Sequence, residues 1–337
     1  MKIILISLLL LFSTSTFAWK ETLEKEIKKI DQRFEGDLGL VIKNLKDGSI
    51  LEYNADKSWY LSSTIKVLVA ISLMEDVDKG KINLNHKITL REKDFVDGAG
   101  PLIWSEPGEQ FSIGFVLKSM LRESDNTAAD ILIGIIGTDE LNRDIKKWMP
   151  HTGTVTSLLD VRYMAYGELH PKARTLTNMD FIQFKNLPLE KRPYAFAEKV
   201  KIPYKNLYTT DLEEAFEKYY RQGQNSAKLQ EYVNLLERLE NQQLLTKKST
   251  DLILTHMEKM KTGGHRIKAG LPADYKFIQK TGTQINRACN VGLVSKKSEK
   301  KSLIALAVCT ETSSHKINTD KVFDQIGRAL SITFDFI

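Results

Sequence analysis

Apolar residues recur along this chain with two different periods, and the order in which the periods change outlines a fold. Leu23, Ile27, Ile30 and Phe34 repeat every three or four positions, which predicts a helix over residues 20–34. Two strand-like runs follow, 38–43 and 49–54, separated by the turn Lys46-Asp47-Gly48. A helix is predicted over 63–74, where Val67-Leu68-Val69-Ala70 leaves no polar face. Between 94 and 113 the periodicity breaks, and Gly98, Gly100, Pro101, Pro107 and Gly108 mark loops. Helical spacing returns over 115–121 and 127–136. Late in the chain 277–280, 291–295 and 303–309 read as strands, and a closing helix is predicted over about 319–330.

Strands at both ends flank a helical middle, so the two ends must meet to build one sheet. The expectation is an α/β chain of the α+β kind, with an antiparallel sheet covered by the N- and C-terminal helices. Residues 19–61 together with 262–337 would form the sheet-containing part. Residues 62–261 would form an inserted all-helical lobe, with the active-site groove between the two.

The extreme N-terminus changes the picture of where the protein works. Lys2, an apolar core over 3–12 and the small-residue site Thr16-Phe17-Ala18 read as a signal peptide over 1–18. Ten apolar residues are too few for a bilayer span of ~20. The expected product is exported, periplasmic or secreted, free of the membrane after signal removal, and monomeric. The net charge of +6 is spread along the 337 residues. Its densest run, Lys296 to Lys301, falls in a predicted hairpin turn without aromatics, so no nucleic-acid partner is expected. Cys289 and Cys309 are the only cysteines, placed on strands either side of that turn. An oxidising compartment would permit a bridge between them. Two buried free thiols are the slightly favoured reading.

Three short motifs carry the chemistry. Ser63-Thr64-Ile65-Lys66 opens the buried helix, putting Lys66 one turn from Ser63 on the same face. A lysine drawn into apolar surroundings loses its proton readily and can serve as base for the hydroxyl. Ser124-Asp125-Asn126 lies between two helices, where Ser124 can relay a proton and the Asn126 amide can hold a substrate carbonyl. Asp125 would fix the loop, and the three residues would also cap the helix that follows. Lys280-Thr281-Gly282-Thr283 ends a strand. Lys280 and Thr281 would bind a substrate carboxylate, Gly282 would let the substrate backbone approach, and the N–H of Thr283 would join that of Ser63 in an oxyanion hole. Chance also supplies Ser298–Lys301, Ser313–Lys316 and Lys261-Thr262-Gly263, none of them in a suitable context. There is no Gly-x-Ser-x-Gly elbow and no His-x-x-x-His spacing, so neither a Ser-His-Asp hydrolase nor a metal site is expected.

Taken in order, these motifs resemble the penicillin-recognising serine enzymes, specifically the class A β-lactamases. Ser124-Asp125-Asn126-Thr127-Ala128-Ala129-Asp130 and the run Gly263-Gly264-His265-Arg266 through Leu271-Pro272-Ala273-Asp274 extend the likeness over about 20–160 and 225–335. The resemblance implies a β-lactamase/DD-peptidase-like fold, acylation of Ser63 by a β-lactam and no cofactor. Two departures stand out. Some fifty extra residues lie near 171–224, an added flap beside the groove. The family's loop Arg-x-Glu-x-x-Leu-Asn, whose glutamate activates the deacylating water, is represented by 159–170. Aligning Leu169 with the family leucine puts Tyr166 at the glutamate position, Met164 at the arginine and His170 at the asparagine. Glu168, two positions late, is the candidate deacylation base, with Asp160 a further possibility. The expected function is therefore a class A type hydrolase acting on a small-molecule β-lactam. The rivals are a D-alanyl peptidase or penicillin-binding-like enzyme with slow deacylation, and a non-catalytic cell-wall-binding protein.

Overall fold

The computed structural model describes residues 18–336. The export signal predicted over 1–18 falls, apart from Ala18, outside them. A helix over 18–31 (α1) leads into β1 (Gly36–Asn44), β2 (Ile50–Tyr53) and β3 (Trp59–Tyr60). After a 3-10 turn at Ser62–Thr64 comes α2 (Ile65–Asp78), then β4 (Lys87–Thr89), β5 (Gln110–Ser112), α3 (Ile113–Arg122) and α4 (Asn126–Ile136). Next are α5 (Thr138–Trp148), α6 (Leu158–Gly167), α7 (Asn178–Lys185), α8 (Arg192–Lys199) and α9 (Leu212–Tyr220). The chain continues through β6 (Ser226–Ala227), α10 (Leu229–Glu240), α11 (Lys247–Glu258) and α12 (Ile267–Gly270). It closes with β7 (Tyr275–Gln284), β8 (Arg287–Lys296), β9 (Ile304–Thr312) and α13 (Asp320–Ser331).

The two ends of the chain do meet. The five-stranded sheet runs β2-β1-β9-β8-β7, antiparallel throughout, with β1 and β9 paired from Gly36↔Thr312 to Asn44↔Ile304. Alternation along β1 sends Leu38, Leu40 and Ile42 to one face and Val41 to the other. The first face is covered by Leu23 and Ile27 of α1 and by Phe323, Ile326 and Leu330 of α13. Each such side chain contributes roughly 1.5–3 kcal/mol on burial. On the second face Val291, Leu293, Ala305 and Ala307 pack with α2 and α10. Helix α2 is buried almost all round, as its apolar sequence predicts.

The structure differs from expectation at three places. Ser63 lies in the 3-10 turn, and the α-helix proper begins two residues later. The 158–167 stretch is a helix, not a loop, because Ser157 caps it by accepting from the Asp160 N–H. Cys289 and Cys309 form a disulfide, which corrects the free-thiol reading. They sit directly opposite each other on β8 and β9, with Cα atoms 4.1 Å apart.

Residues 171–224 fold as α7, α8 and α9 against α6. Their core is aromatic: Tyr166, Phe181, Phe184, Phe196, Phe216 and Tyr219. Among the described residues no helix is long and apolar enough to cross a membrane.

Candidate active site

The Ser63 turn is held tightly from both sides. Thr64 Oγ1 donates to Leu61 O at 2.7 Å, and Tyr232 Oη donates to Thr64 O at 2.8 Å. Ser62 takes a left-handed φ of +49°, and so does Ser124 at +59°. Non-glycine residues hold such angles only where the surroundings enforce them, and here both flank the same site.

Lys66 is fully buried one turn beyond Ser63. Its Nζ donates to Ser124 O at 2.6 Å and Asn126 Oδ1 at 2.7 Å, and lies within hydrogen-bond reach of Ser63 Oγ at 3.1 Å and Ser124 Oγ at 3.3 Å. Burial pushes its pKa down to about 7, against the opposing pull of the Asp125 and Asp130 carboxylates. A lysine in this state is neutral for much of the time near neutral pH and is able to take a proton from Ser63.

Asp125 fixes the turn, as the sequence predicts. Its carboxylate accepts from the N–H groups of Ala128 and Leu102, each at 2.8 Å, and it caps α4. Gly100 is obligatory beside it, because a Cβ there would lie 2.1 Å from Asp125 Cγ. Asn126 turns its Oδ1 to Lys66 and donates Nδ2 to Asp97 O at 2.6 Å, which leaves one amide hydrogen for a ligand. Asp130, one helical turn further on, receives Leu158 N–H and Leu159 N–H, tying α4 to α6.

From the opposite side β7 brings Lys280, buried like Lys66. Its Nζ donates to Ser124 Oγ at 2.9 Å and to Thr281 O at 2.8 Å. Burial holds its pKa well below the usual lysine value, and the charges of Lys66 and Arg266 add to the shift. Thr281 Oγ1 lies 2.9 Å from Thr262 Oγ1, so the chance repeat Lys261-Thr262-Gly263 packs against the motif it mimics. Gly282 has a structural reason besides the expected one. A Cβ there would meet Leu61 O at 2.7 Å and Ser63 N at 2.9 Å, so it is the Ser63 turn that approaches closely. The sequence reading assigned no role to Arg266, which lay inside a quoted motif. Its guanidinium is buried and donates to Gly282 O (3.2 Å), Thr283 Oγ1 (2.7 Å) and Asp320 Oδ1 (2.7 Å).

A cleft of about 310 Å³ opens at Ser63 and Asn126, lined also by Leu158, Arg162, Thr283 and Gln284, with Lys66, Ser124, Lys280 and Thr281 buried behind its wall. Glu168 is not among its lining residues. It caps the far end of α6, where its Oε1 accepts from Gln222 Nε2 at 2.7 Å. That corrects its assignment as the base: a helix in place of the loop turns this carboxylate away. Asp160 is engaged with Ser157, and Tyr166 is buried among Phe181, Phe184 and Phe196. What α6 presents to the cleft is Leu158, Val161 and Arg162, the last donating its Nε to Asp97 Oδ1 at 2.6 Å.

A family model described as "Beta-lactamase enzyme family" matches residues 22–334. Among curated relatives, β-lactamase VEB-1 of Pseudomonas aeruginosa is 24% identical over 341 aligned residues, covering 97% of this chain and 96% of VEB-1. β-Lactamase OXY-2 of Klebsiella oxytoca is 28% identical over 137 residues, 39% of this chain and 45% of that relative. Among solved structures, PBP-A superposes with a TM-score of 0.70 at 19% identity, covering 94% of this chain and 96% of PBP-A. A point mutant of PBP-A, described as an acyl-enzyme complex with penicillin G, gives 0.70 at 18% identity, with 94% and 97% coverage. TLA-3 extended-spectrum β-lactamase gives 0.68 at 19% identity, with 93% and 98% coverage.

Proposed function

Because this chain belongs to the β-lactamase enzyme family, we propose that it is an exported serine hydrolase acylated at Ser63 by β-lactams. One observation carries the reading. The buried Lys66 Nζ lies 3.1 Å from Ser63 Oγ with its pKa pushed down to about 7, so the serine has a base in contact at neutral pH.

In the proposed reaction Ser63 Oγ bonds to the lactam carbonyl carbon while its proton passes to Lys66 Nζ. Carbonyl oxygen charge is taken by the N–H groups of Ser63 and Thr283. Ser124 then hands a proton from the lysine side to the departing lactam nitrogen as the C–N bond breaks. Lys280 and Thr281 hold the substrate carboxylate, and Asn126 holds the acyl-side carbonyl. Water must finally cleave the Ser63 ester.

That last step favours a second reading for turnover. No carboxylate lines the cleft among the described residues, and α6 offers Arg162 there instead. Without a carboxylate to activate water, deacylation is slower by ~10²–10⁴. The acyl-enzyme then accumulates, as in a penicillin-binding-like enzyme acting on D-alanyl peptides. Intact-mass kinetics after mixing with benzylpenicillin separates the cases. A long-lived adduct of one penicillin mass supports slow deacylation, and product release without adduct supports an efficient β-lactamase. An adduct that persists in Ser63→Ala removes Ser63 as nucleophile.

A further inference from the structure

Arg162, Lys185 and Arg192 meet at one small cavity beside the cleft, where Asp97, already paired with Arg162, is the one carboxylate among the lining residues, so cations outnumber acids there. Lys185, the last residue of α7, borders both the cleft and a neighbouring cavity of about 330 Å³, and is exposed to solvent there. Its ammonium has no hydrogen-bond or ion-pair partner among the described residues. Arg192, at the start of α8, lines the second cavity and donates only to the carbonyls of Leu187 and Lys185. Arg162 spends its Nε on Asp97, while its two terminal nitrogens have no hydrogen-bond partner among the described residues. No carboxylate lines the cleft or the 330 Å³ cavity among the described residues. Desolvation is the main cause that lowers the Lys185 pKa, with the charges of Arg192 and Arg162 adding to it and Asp97 opposing it.

Unbalanced cations around an open cleft cost free energy unless an anion visits. Resting on the proposed acylation of Ser63, we infer that Lys185, Arg192 and Arg162 form a second anion subsite for a carboxylate on the acyl side of the scissile bond. The side follows from the lining. Asn126, which would hold the acyl carbonyl, shares the cleft with Arg162 and Lys185, whereas Lys280 and Thr281 do not line it. Preferred ligands are therefore dianionic: one carboxylate for Lys280 and Thr281, another in the acyl side chain. Lys185 and Arg192 both come from the extra 171–224 segment, which gives that segment a role in substrate choice.

α-Carboxybenzylpenicillin and benzylpenicillin differ by the one carboxylate in question. Calorimetric titration of Ser63→Ala protein with each measures affinity, and the intact mass of the titrated protein verifies that no adduct has formed. The α-carboxy compound is expected to bind about tenfold more tightly at low salt, the scale of a charge-assisted contact. The preference should shrink at 0.5 M salt and be lost in Ser63→Ala/Lys185→Gln. The salt series needs no second substitution, so it stands even if the double variant folds poorly. Equal affinities for the two compounds, a preference insensitive to salt, or no binding of either would overturn the subsite. An adduct on the native protein without that preference would leave the hydrolase reading standing alone.

Discussion

Lys66 and Lys280 converge on one oxygen, their Nζ atoms lying 3.3 and 2.9 Å from Ser124 Oγ. Both side chains are fully buried. Two ammonium groups so close to one hydroxyl repel each other, and burial has already weakened each. The pair therefore holds less than its full charge at neutral pH, and its titration belongs to both residues together. With Lys66 neutral, its lone pair can accept a proton that Ser63 or Ser124 releases.

The first prediction is a pH profile. If neutral Lys66 is the base, acylation falls as pH drops below about 7, where the lysine becomes protonated. The limb should approach a tenfold loss per pH unit. Adduct formation by benzylpenicillin, followed by mass spectrometry from pH 5 to 9, measures it. A rate that stays flat from pH 5 to 8 removes Lys66 from the base role.

Ser124→Ala tests the relay. The hydroxyl is the single group touched by both lysines, so its loss is expected to slow acylation by ~10²–10⁴. The backbone carbonyl of Ser124 remains to hold Lys66 at 2.6 Å. The pH dependence should therefore survive while the absolute rate falls. An unchanged rate would exclude Ser124 from proton transfer.

Gly282→Ala probes the contact between β7 and the Ser63 turn. The added Cβ would press on Leu61 O, Ser62 Cβ and Ser63 N, all within 3 Å. Overpacking of this kind costs roughly 1–3 kcal/mol. Its displacement falls on the serine amide that would hold the oxyanion. Acylation should drop more than the melting temperature suggests. A variant acylated at the native rate would show that the turn tolerates the shift.

Why some features were legible and others not is visible in particular residues. Lys66, Ser124 and Lys280 were readable because the chemistry fixes residue types and order, and apolar neighbours marked the helix and strand that carry them. Strand ends were less so. Periodicity placed only 291–295 on a strand, whereas β8 begins at Arg287. The placement of Cys289 and Cys309 on strands either side of one turn was nevertheless legible and agrees with the observed register; what stayed hidden was whether the two thiols are joined, because spacing alone does not separate a bridge from two buried thiols. At 158–167 the family loop pattern obscured a local signal. Ser157 followed three residues later by Asp160 is a helix start, and it turns Glu168 away from the cleft. Arg162, Lys185 and Arg192 left no trace as a set, since only tertiary packing brings Arg162 of α6 to the junction of α7 and α8 that carries the other two.

The disulfide yields a fourth expectation. Both cysteines are essentially inaccessible, and the bridge closes a loop of about twenty residues, worth ~3 kcal/mol in a chain-entropy account. Cys289→Ala/Cys309→Ala should lower the melting temperature by several degrees while acylation persists, since neither sulfur lines the cleft. Equal melting temperatures for the two proteins would mean that the sheet register, not the bridge, holds β8 to β9.

The last prediction concerns acid stability and sets two buried groups against each other. His256 in α11 is pushed down to about 4, first by burial and then by Arg122 and Lys118. Its Nδ1 is placed to accept from Arg122 Nε at 3.2 Å, a contact that protonation would abolish. A histidine whose folded pKa lies below its unfolded value binds fewer protons when folded. Its contribution is complete above about pH 6.5 and is lost as pH falls toward 4. Asp130 acts in the reverse sense. Burial raises it to about 6, so the cost of its buried charge is relieved as pH falls through that value toward 3.8. His256→Gln keeps an oxygen to accept from Arg122 but cannot titrate. The variant should lose less melting temperature than the native protein between pH 7 and pH 5, because only the Asp130 relief remains. If both proteins lose the same amount, His256 is not the group that sets acid sensitivity in this window.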